Sequence, residues 1–295
     1  MNQRMTSHLL QLSTSIPNRN LLFLYRKVVY LFILLWLLFQ LPLATALWSD
    51  QAAFVPTFFE GNWILQSFNL LSHPGLTNFY PLCIALLIAA IILSFFIKGQ
   101  FLIAVIVYFC FSNLYYRTIV LQNGSGDLLH AQLFFLLFIN ENAEEQPFGK
   151  WRTFRIALTN IAFLSSKFQV VFVYVVSALY KLDGSHWLEG SALHYVLLNP
   201  TYSVDVVMQL VPKMELPLRL FTWLILLFQL LFPLLIWNRK LKPALVIFGI
   251  LLHLTIAFVM GIMDFGLLMV VMYVLFANEN WAKRMKQKFV NKHTT

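Results

Sequence analysis

One short stretch collects the side chains best suited to chemistry: Ala178-Leu179-Tyr180-Lys181-Leu182-Asp183-Gly184-Ser185-His186-Trp187-Leu188-Glu189-Gly190. An apolar run that starts at Phe168 ends there in a lysine, an aspartate, a histidine and a glutamate. Ionisable groups at membrane depth are expensive and are usually retained for a function. A lysine held partly dehydrated has its ammonium form disfavoured, which brings the neutral amine within reach and makes it a base. The other reading of Lys181 is an interfacial anchor whose amine snorkels to headgroups or water.

Further ionisable residues fall inside apolar runs. His253 lies in the middle of Val246-Ile247-Phe248-Gly249-Ile250-Leu251-Leu252-His253-Leu254-Thr255-Ile256, where it can be a packing residue, a metal ligand or a proton partner. A metal site needs convergent ligands, and no His-x-x-x-His or Glu-x-x-His pair accompanies it, so no metal is expected. His130 follows Asn123-Gly124-Ser125-Gly126-Asp127, a polar, glycine-rich run that reads as a helix start with Asp127 near the cap. Asp264 reads as a turn residue, Lys167 as a snorkelling lysine and Gln229 as a helix-to-helix hydrogen bonder. Cys83 and Cys110 sit in apolar runs without paired spacing and read as small core residues, not as a disulfide or a zinc site. Neither a phosphate-binding glycine loop nor a Gly-x-Ser-x-Gly elbow is present.

The elements that must position these groups are membrane helices. Of 295 residues, 60% are hydrophobic and only 11% charged, against about a quarter charged in a soluble domain. The shortage of charge extends along the whole chain, which predicts an all-α, polytopic integral membrane bundle. Apolar runs of about 20 residues mark spans. They predict about eight transmembrane helices, over 28–47, 78–97, 101–116, 127–140, 158–182, 217–237, 243–263 and 265–278, the third, fourth and eighth being short. Residues 1–27 read as a basic N-terminal arm, 28–278 as the membrane-embedded domain and 279–295 as a basic tail. The apolar run after residue 28 is too long for a cleavable signal peptide.

The net charge of +9 is concentrated in the termini and in loops of one side, among them Arg26, Lys27, Arg152, Arg155, Arg239 and Lys240. That asymmetry puts both termini in the cytoplasm and the Lys181 segment on the opposite face. No basic stripe interleaved with exposed aromatics appears, so nucleic acid is excluded as a partner. Membrane lipid and a lipid-soluble small molecule are the expected partners. Residues 49–77 read as an interfacial cap, 141–152 as an ordinary cytoplasmic loop, and 183–216 as a re-entrant or interfacial helix with an irregular return.

Tyr180-Lys181-Leu182-Asp183 followed by Trp187-Leu188-Glu189-Gly190 resembles the signature of the vitamin K-dependent gamma-carboxylase superfamily. The membrane part of that family in bacteria is the horizontally transferred transmembrane (HTTM) domain. The Asn123–Asp127 run and His253 extend the resemblance over the bundle. It implies a bacterial cytoplasmic-membrane enzyme in which Lys181 is the general base, His253 its helper, and Asp183, Trp187 and Glu189 shape the site, with Asp127 and His130 as further binding residues. The cofactor implied is reduced vitamin K or another quinol. The animal enzyme adds a large lumenal β-rich region that recognises a protein substrate, so the part shared here favours a quinone-like or other lipid-soluble substrate. The alternative to an enzyme is a non-catalytic bundle that binds lipid or quinone, or scaffolds a redox partner.

Overall fold

A computed structural model describes residues 14–16, 18–52, 69–73, 75–97, 100–118, 123–145, 147 and 149–291. Among them no strand occurs. The helices are α1 (Arg19–Gln40), α2 (Ala44–Trp48), α3 (Tyr80–Ser94), α4 (Gln100–Arg117), α5 (Gly124–Phe138), α6 (Lys150–Leu182), α7 (Ser185–Glu189), α8 (Ala192–Leu198), α9 (Asp205–Leu210), α10 (Glu215–Leu235), α11 (Lys242–Phe258), α12 (Met263–Met272) and α13 (Glu279–Asn291).

Each of the eight expected spans coincides with a helix, but fewer are long and apolar enough to cross a membrane alone. Four qualify among the described residues: Arg19–Trp48, Thr77–Ser94, Lys150–Leu182 and Glu215–Leu235. A fifth arises if Met263–Phe276 and Glu279–Gln287, which meet at 108°, count as one broken span. The count of eight is therefore corrected to four or five. The physical reason is length: α5 has 15 residues and α11 has 17, about 22 and 26 Å of helix, against a hydrocarbon core of about 30 Å. At 33 residues α6 is instead about 50 Å long, so its ends reach beyond the apolar layer. No glycine or proline interrupts it.

The chain divides into two compact units, residues 1–166 with 278–295, and residues 167–277. Helix α6 gives its first half to one and its second half to the other.

In the first unit, basic residues of α1 close the ends of other helices. The helix begins at Arg19, inside the stretch expected to be a surface arm, and Arg26 and Lys27 are buried. Arg26 donates to the carbonyls of Leu136 and Ile139 at the end of α5 and to Glu141 at 3.3 Å. Lys27 donates to the Ser94 carbonyl at the end of α3 and lies 4.9 Å from the Phe95 ring centre. Helix C-termini leave carbonyls without partners and carry partial negative charge, so buried cations are stabilised there. The segment expected as an ordinary loop supplies the matching carboxylates: Glu141 meets Arg26, Glu144 accepts from the Ile16 N–H, and Glu145 pairs with Arg19.

The segment expected as a basic tail forms α13, whose Ala282 is fully buried. Its first residue, Glu279, caps α1: Oε1 accepts from the Asn20 N–H at 3.0 Å and the Asn20 amide at 2.7 Å, and Oε2 from the Leu21 N–H at 3.1 Å. Replacing a helix-capping oxygen typically costs about 0.5–2 kcal/mol. Glu279→Ala is therefore expected to lower the thermal midpoint of the purified protein by a few degrees. An unchanged midpoint would mean that the apolar face of α13 alone fastens it.

The interfacial cap expected over 49–77 lies largely outside the described residues, as do the first 13 residues of the arm. Residues 183–216 contain α7, α8, α9 and a short 3-10 turn, Val211–Lys213.

Candidate functional site

The second unit holds five of the candidate residues on or beside α6, α7 and α11. Lys181 stands in the last turn of α6, where a positive charge suits the exposed carbonyls. It is half-buried. Its Nζ donates to Ser177 Oγ at 2.7 Å, one turn earlier on the same face. Ser177 Oγ in turn lies 3.4 Å from Gln229 Oε1 on α10. The Trp187 ring centre is 4.7 Å from Nζ, close enough for an ammonium to be held over the indole face.

The Trp187-Leu188-Glu189-Gly190 run positions that indole. Gly190 ends α7 with φ +84, a left-handed cap that glycine adopts without strain. A Cβ at Gly190 would meet Arg219 Cγ at 2.5 Å and Trp223 Cε2 at 3.0 Å, so the glycine also admits α10. Trp223 Nε1 donates to the Leu188 carbonyl at 3.0 Å, fixing α7 against α10. Asp183 and Glu189 are exposed and flank the turn.

His253 belongs to a separate, buried cluster. Tyr174 Oη bonds His253 Nε2 at 2.8 Å and also Tyr273 Oη. Phe232 packs on Tyr174 with ring centres 4.2 Å apart, and Phe265 lies edge-on to His253 at 5.7 Å. Among the described residues His253 Nδ1 is buried with no hydrogen-bond partner. Either tautomer leaves a mismatch: a proton on Nδ1 is a buried donor without an acceptor, and a proton on Nε2 leaves Nδ1 a buried acceptor without a donor. Two glycines make the cluster fit. A Cβ at Gly249 would strike the Tyr273 phenol, and one at Gly266 would lie 2.5 Å from the His253 carbonyl oxygen.

The structure thus brings Lys181 to Trp187, and His253 to Tyr174 and Tyr273. The bonds of Lys181 and of His253 do not join the two. Tyr174, Ser177 and Lys181 follow at helical spacing along one face of α6, with about 10 Å of rise from the first to the last. Ser177 was readable from that spacing, while Tyr174 did not stand out among the aromatic residues of the run. Tyr273 carried no sequence signal.

Asp127 and His130 lie in the first unit. Asn123, not Asp127, caps α5, accepting from the Ser125 N–H at 2.9 Å. Asp127 accepts from Tyr115 Oη. His130 bonds Ser112 Oγ at 2.9 Å and stacks between Tyr108 and Tyr115, with centres at 5.1 and 5.4 Å. Among the described residues no group of three or more His, Cys, Asp and Glu could hold a metal ion. Cys83 and Cys110 are free, buried and adjacent, the Cys83 thiol lying 3.4 Å from the Cys110 carbonyl.

The chain is similar to a sporulation-delaying protein. That protein is SdpB of Bacillus subtilis (strain 168), 32% identical over 121 residues. The similarity covers 37% of this chain and 35% of SdpB, so about a third of each is shared. No family model matches the chain and no solved structure matches it.

Proposed function

We propose that the chain is a carboxylase-like membrane enzyme of HTTM type, in which Lys181 acts as general base on a reduced quinone or similar lipid-soluble substrate. The observation that carries this reading is the setting of Lys181. Its amine rests on a neutral hydroxyl and an indole face, and no carboxylate holds it as an ammonium in an ion pair among the described residues. An amine in such a place can take the proton of an acidic hydroxyl: the O–H bond breaks, the N–H bond forms, and an anion remains beside the ammonium. Trp187 offers a planar apolar surface that suits a quinol ring, and Ser177 with Gln229 orients the amine. The quinol, once deprotonated, supplies the electron-rich oxygen chemistry for which the gamma-carboxylases use reduced vitamin K.

In this reading His253 acts through Tyr174 and not by direct contact with the lysine, because its Nε2 is committed to the tyrosine. The site opens to the non-cytoplasmic side of a bacterial cytoplasmic membrane. The test is to follow oxidation of a hydroquinone by oxygen in the purified, detergent-solubilised protein. Turnover above the protein-free rate is expected, and its absence with every quinol tried overturns the reading.

One observation favours the second reading, a non-catalytic membrane protein that binds lipid or quinone or scaffolds a redox partner. Lys181 and His253 have separate partners, as they would if each served only packing. The name of the B. subtilis relative describes a delay of sporulation and specifies no reaction.

A further inference from the structure

The first unit contains a cavity of about 660 Å³ between α4, α5, the turn that follows α5, and the first half of α6. More than half of the lining residues are apolar, Phe101, Leu102, Leu137, Phe138 and Leu158 among them. Two are charged, and they differ in what already holds them. Glu145 is paired with Arg19, which also donates to Asn142 at 2.7 Å. Arg155 has no such partner: among the described residues its guanidinium meets the Trp151 ring, 5.6 Å from the centre, and no carboxylate. The first turn of α6, just before it, holds no acidic residue, and the helix start adds partial positive charge there. The uncommitted charge of the cavity is therefore positive. Gln100 supplies an uncommitted hydrogen-bonding group. It is more than nine-tenths buried, and its Nε2 is occupied by the carbonyls of Ser94 at 3.2 Å and Ile97 at 2.5 Å. Among the described residues its Oε1 has no hydrogen-bond partner. A buried acceptor without a donor is costly, and an arriving O–H or N–H recovers that cost.

We propose that this cavity seats the headgroup of an anionic phospholipid bearing a hydroxyl, of the phosphatidylglycerol kind, with its phosphate on Arg155 and its hydroxyl on Gln100 Oε1. Basic pockets between membrane helices are suited to anionic headgroups. The ligand is amphipathic, because the lining is mostly apolar and Phe101 and Leu102 are 58% and 67% exposed beside it, a surface along which acyl chains continue. It carries net negative charge, because Arg155 is uncommitted and Glu145 is not. A zwitterionic lipid would bring an ammonium that finds no free carboxylate in the lining and is repelled by Arg155. The hydroxyl answers the unfilled acceptor of Gln100, which a phosphate ester without donors would leave unfilled. The lipid is favoured over free glycerol phosphate by the apolar lining, to which the free molecule has nothing to offer.

The experiment is native mass spectrometry of the full chain in detergent. Phosphatidylglycerol, phosphatidylethanolamine, phosphatidylcholine and phosphatidylethanol, an anionic lipid without a headgroup hydroxyl, are added at equal concentrations, with soluble glycerol phosphate in a parallel sample. Retention of phosphatidylglycerol about tenfold over the two zwitterionic lipids is expected, since one charge-assisted hydrogen bond corresponds to roughly that factor. Over phosphatidylethanol about threefold is expected, the worth of one neutral hydrogen bond. Arg155→Gln, on a partly exposed residue, is expected to bring phosphatidylglycerol down to the level of phosphatidylcholine. Gln100→Met is expected to bring it down to the level of phosphatidylethanol and to leave the advantage over phosphatidylcholine in place. The ranking of lipids by the parent protein is a test that needs no variant. Equal retention of the four lipids, a preference for a zwitterionic lipid, binding of glycerol phosphate as strong as that of the lipid, or a variant that leaves its own comparison unchanged overturns the proposal. The site does not involve Lys181, so its failure and that of the enzymatic reading are distinguishable.

Discussion

Lys181→Met is expected to lower hydroquinone turnover by a factor of about 10²–10⁴, the range a positioned general base contributes, while leaving the thermal midpoint nearly unchanged. Methionine keeps the length and apolar stem of lysine but cannot accept a proton. The residue is half-buried in the last turn of α6, and its hydrogen bond goes to a serine that retains Gln229 as a neighbour. Loss of that bond costs about 0.5–1.5 kcal/mol, a small change in stability. The two readings of the site diverge here. A base gives inactive, folded protein; a structural anchor gives protein of reduced stability or altered membrane insertion. Turnover preserved in a folded Lys181→Met protein removes the lysine from the chemistry. Ser177→Ala sharpens the comparison: it removes the hydroxyl that orients the amine without removing the amine, so an intermediate loss of turnover is expected.

How much of this site was legible depends on which physical signal each residue leaves. Lys181, Asp183, Trp187 and Glu189 are adjacent in sequence and interrupt an apolar run, so they stand out from their neighbours by polarity alone. The capping glycine Gly190 follows from the same stretch. The association of His253 with two tyrosines did not stand out, because a tyrosine in an aromatic-rich membrane chain carries no contrast, and Tyr174 lies 79 positions before His253 and 99 before Tyr273. Pairing Lys181 directly with His253 was an expectation of the resemblance, and the hydrogen bonds instead route the histidine to Tyr174. For the fold, hydropathy located every apolar helix, because burial in lipid or in protein demands the same composition. It could not separate helices that cross from shorter ones such as α5 and α11, since a short apolar helix has the same composition as a spanning one. The start of α1 was missed for a related reason. Arg19, Arg26 and Lys27 look like solvated positive charge, yet two of them are buried against helix ends and a carboxylate contributed more than a hundred positions later.

That buried arrangement gives the largest expected effect on stability. Arg26→Met is expected to destabilise the first unit by about 3–5 kcal/mol, on the order of 10 °C in thermal midpoint. Arg26 is fully buried and serves the Leu136 and Ile139 carbonyls, the Tyr30 hydroxyl at 3.4 Å and the Glu141 carboxylate. Its removal leaves Glu141, only 3% exposed, as an uncompensated negative charge at the already negative end of α5. The charge term and the carbonyl term are separable. Adding Glu141→Leu to Arg26→Met removes the stranded carboxylate, and the double variant is expected to recover more than half of the loss, because a buried ion pair adds little over apolar residues of similar size. What it does not recover measures the orphaned α5 carbonyls, which neither methionine nor leucine can satisfy. If the single variant unfolds within a degree or two of the parent, the guanidinium does not hold α1 to α5. Apolar packing around Tyr25, Ile33 and Leu37 would then carry the unit.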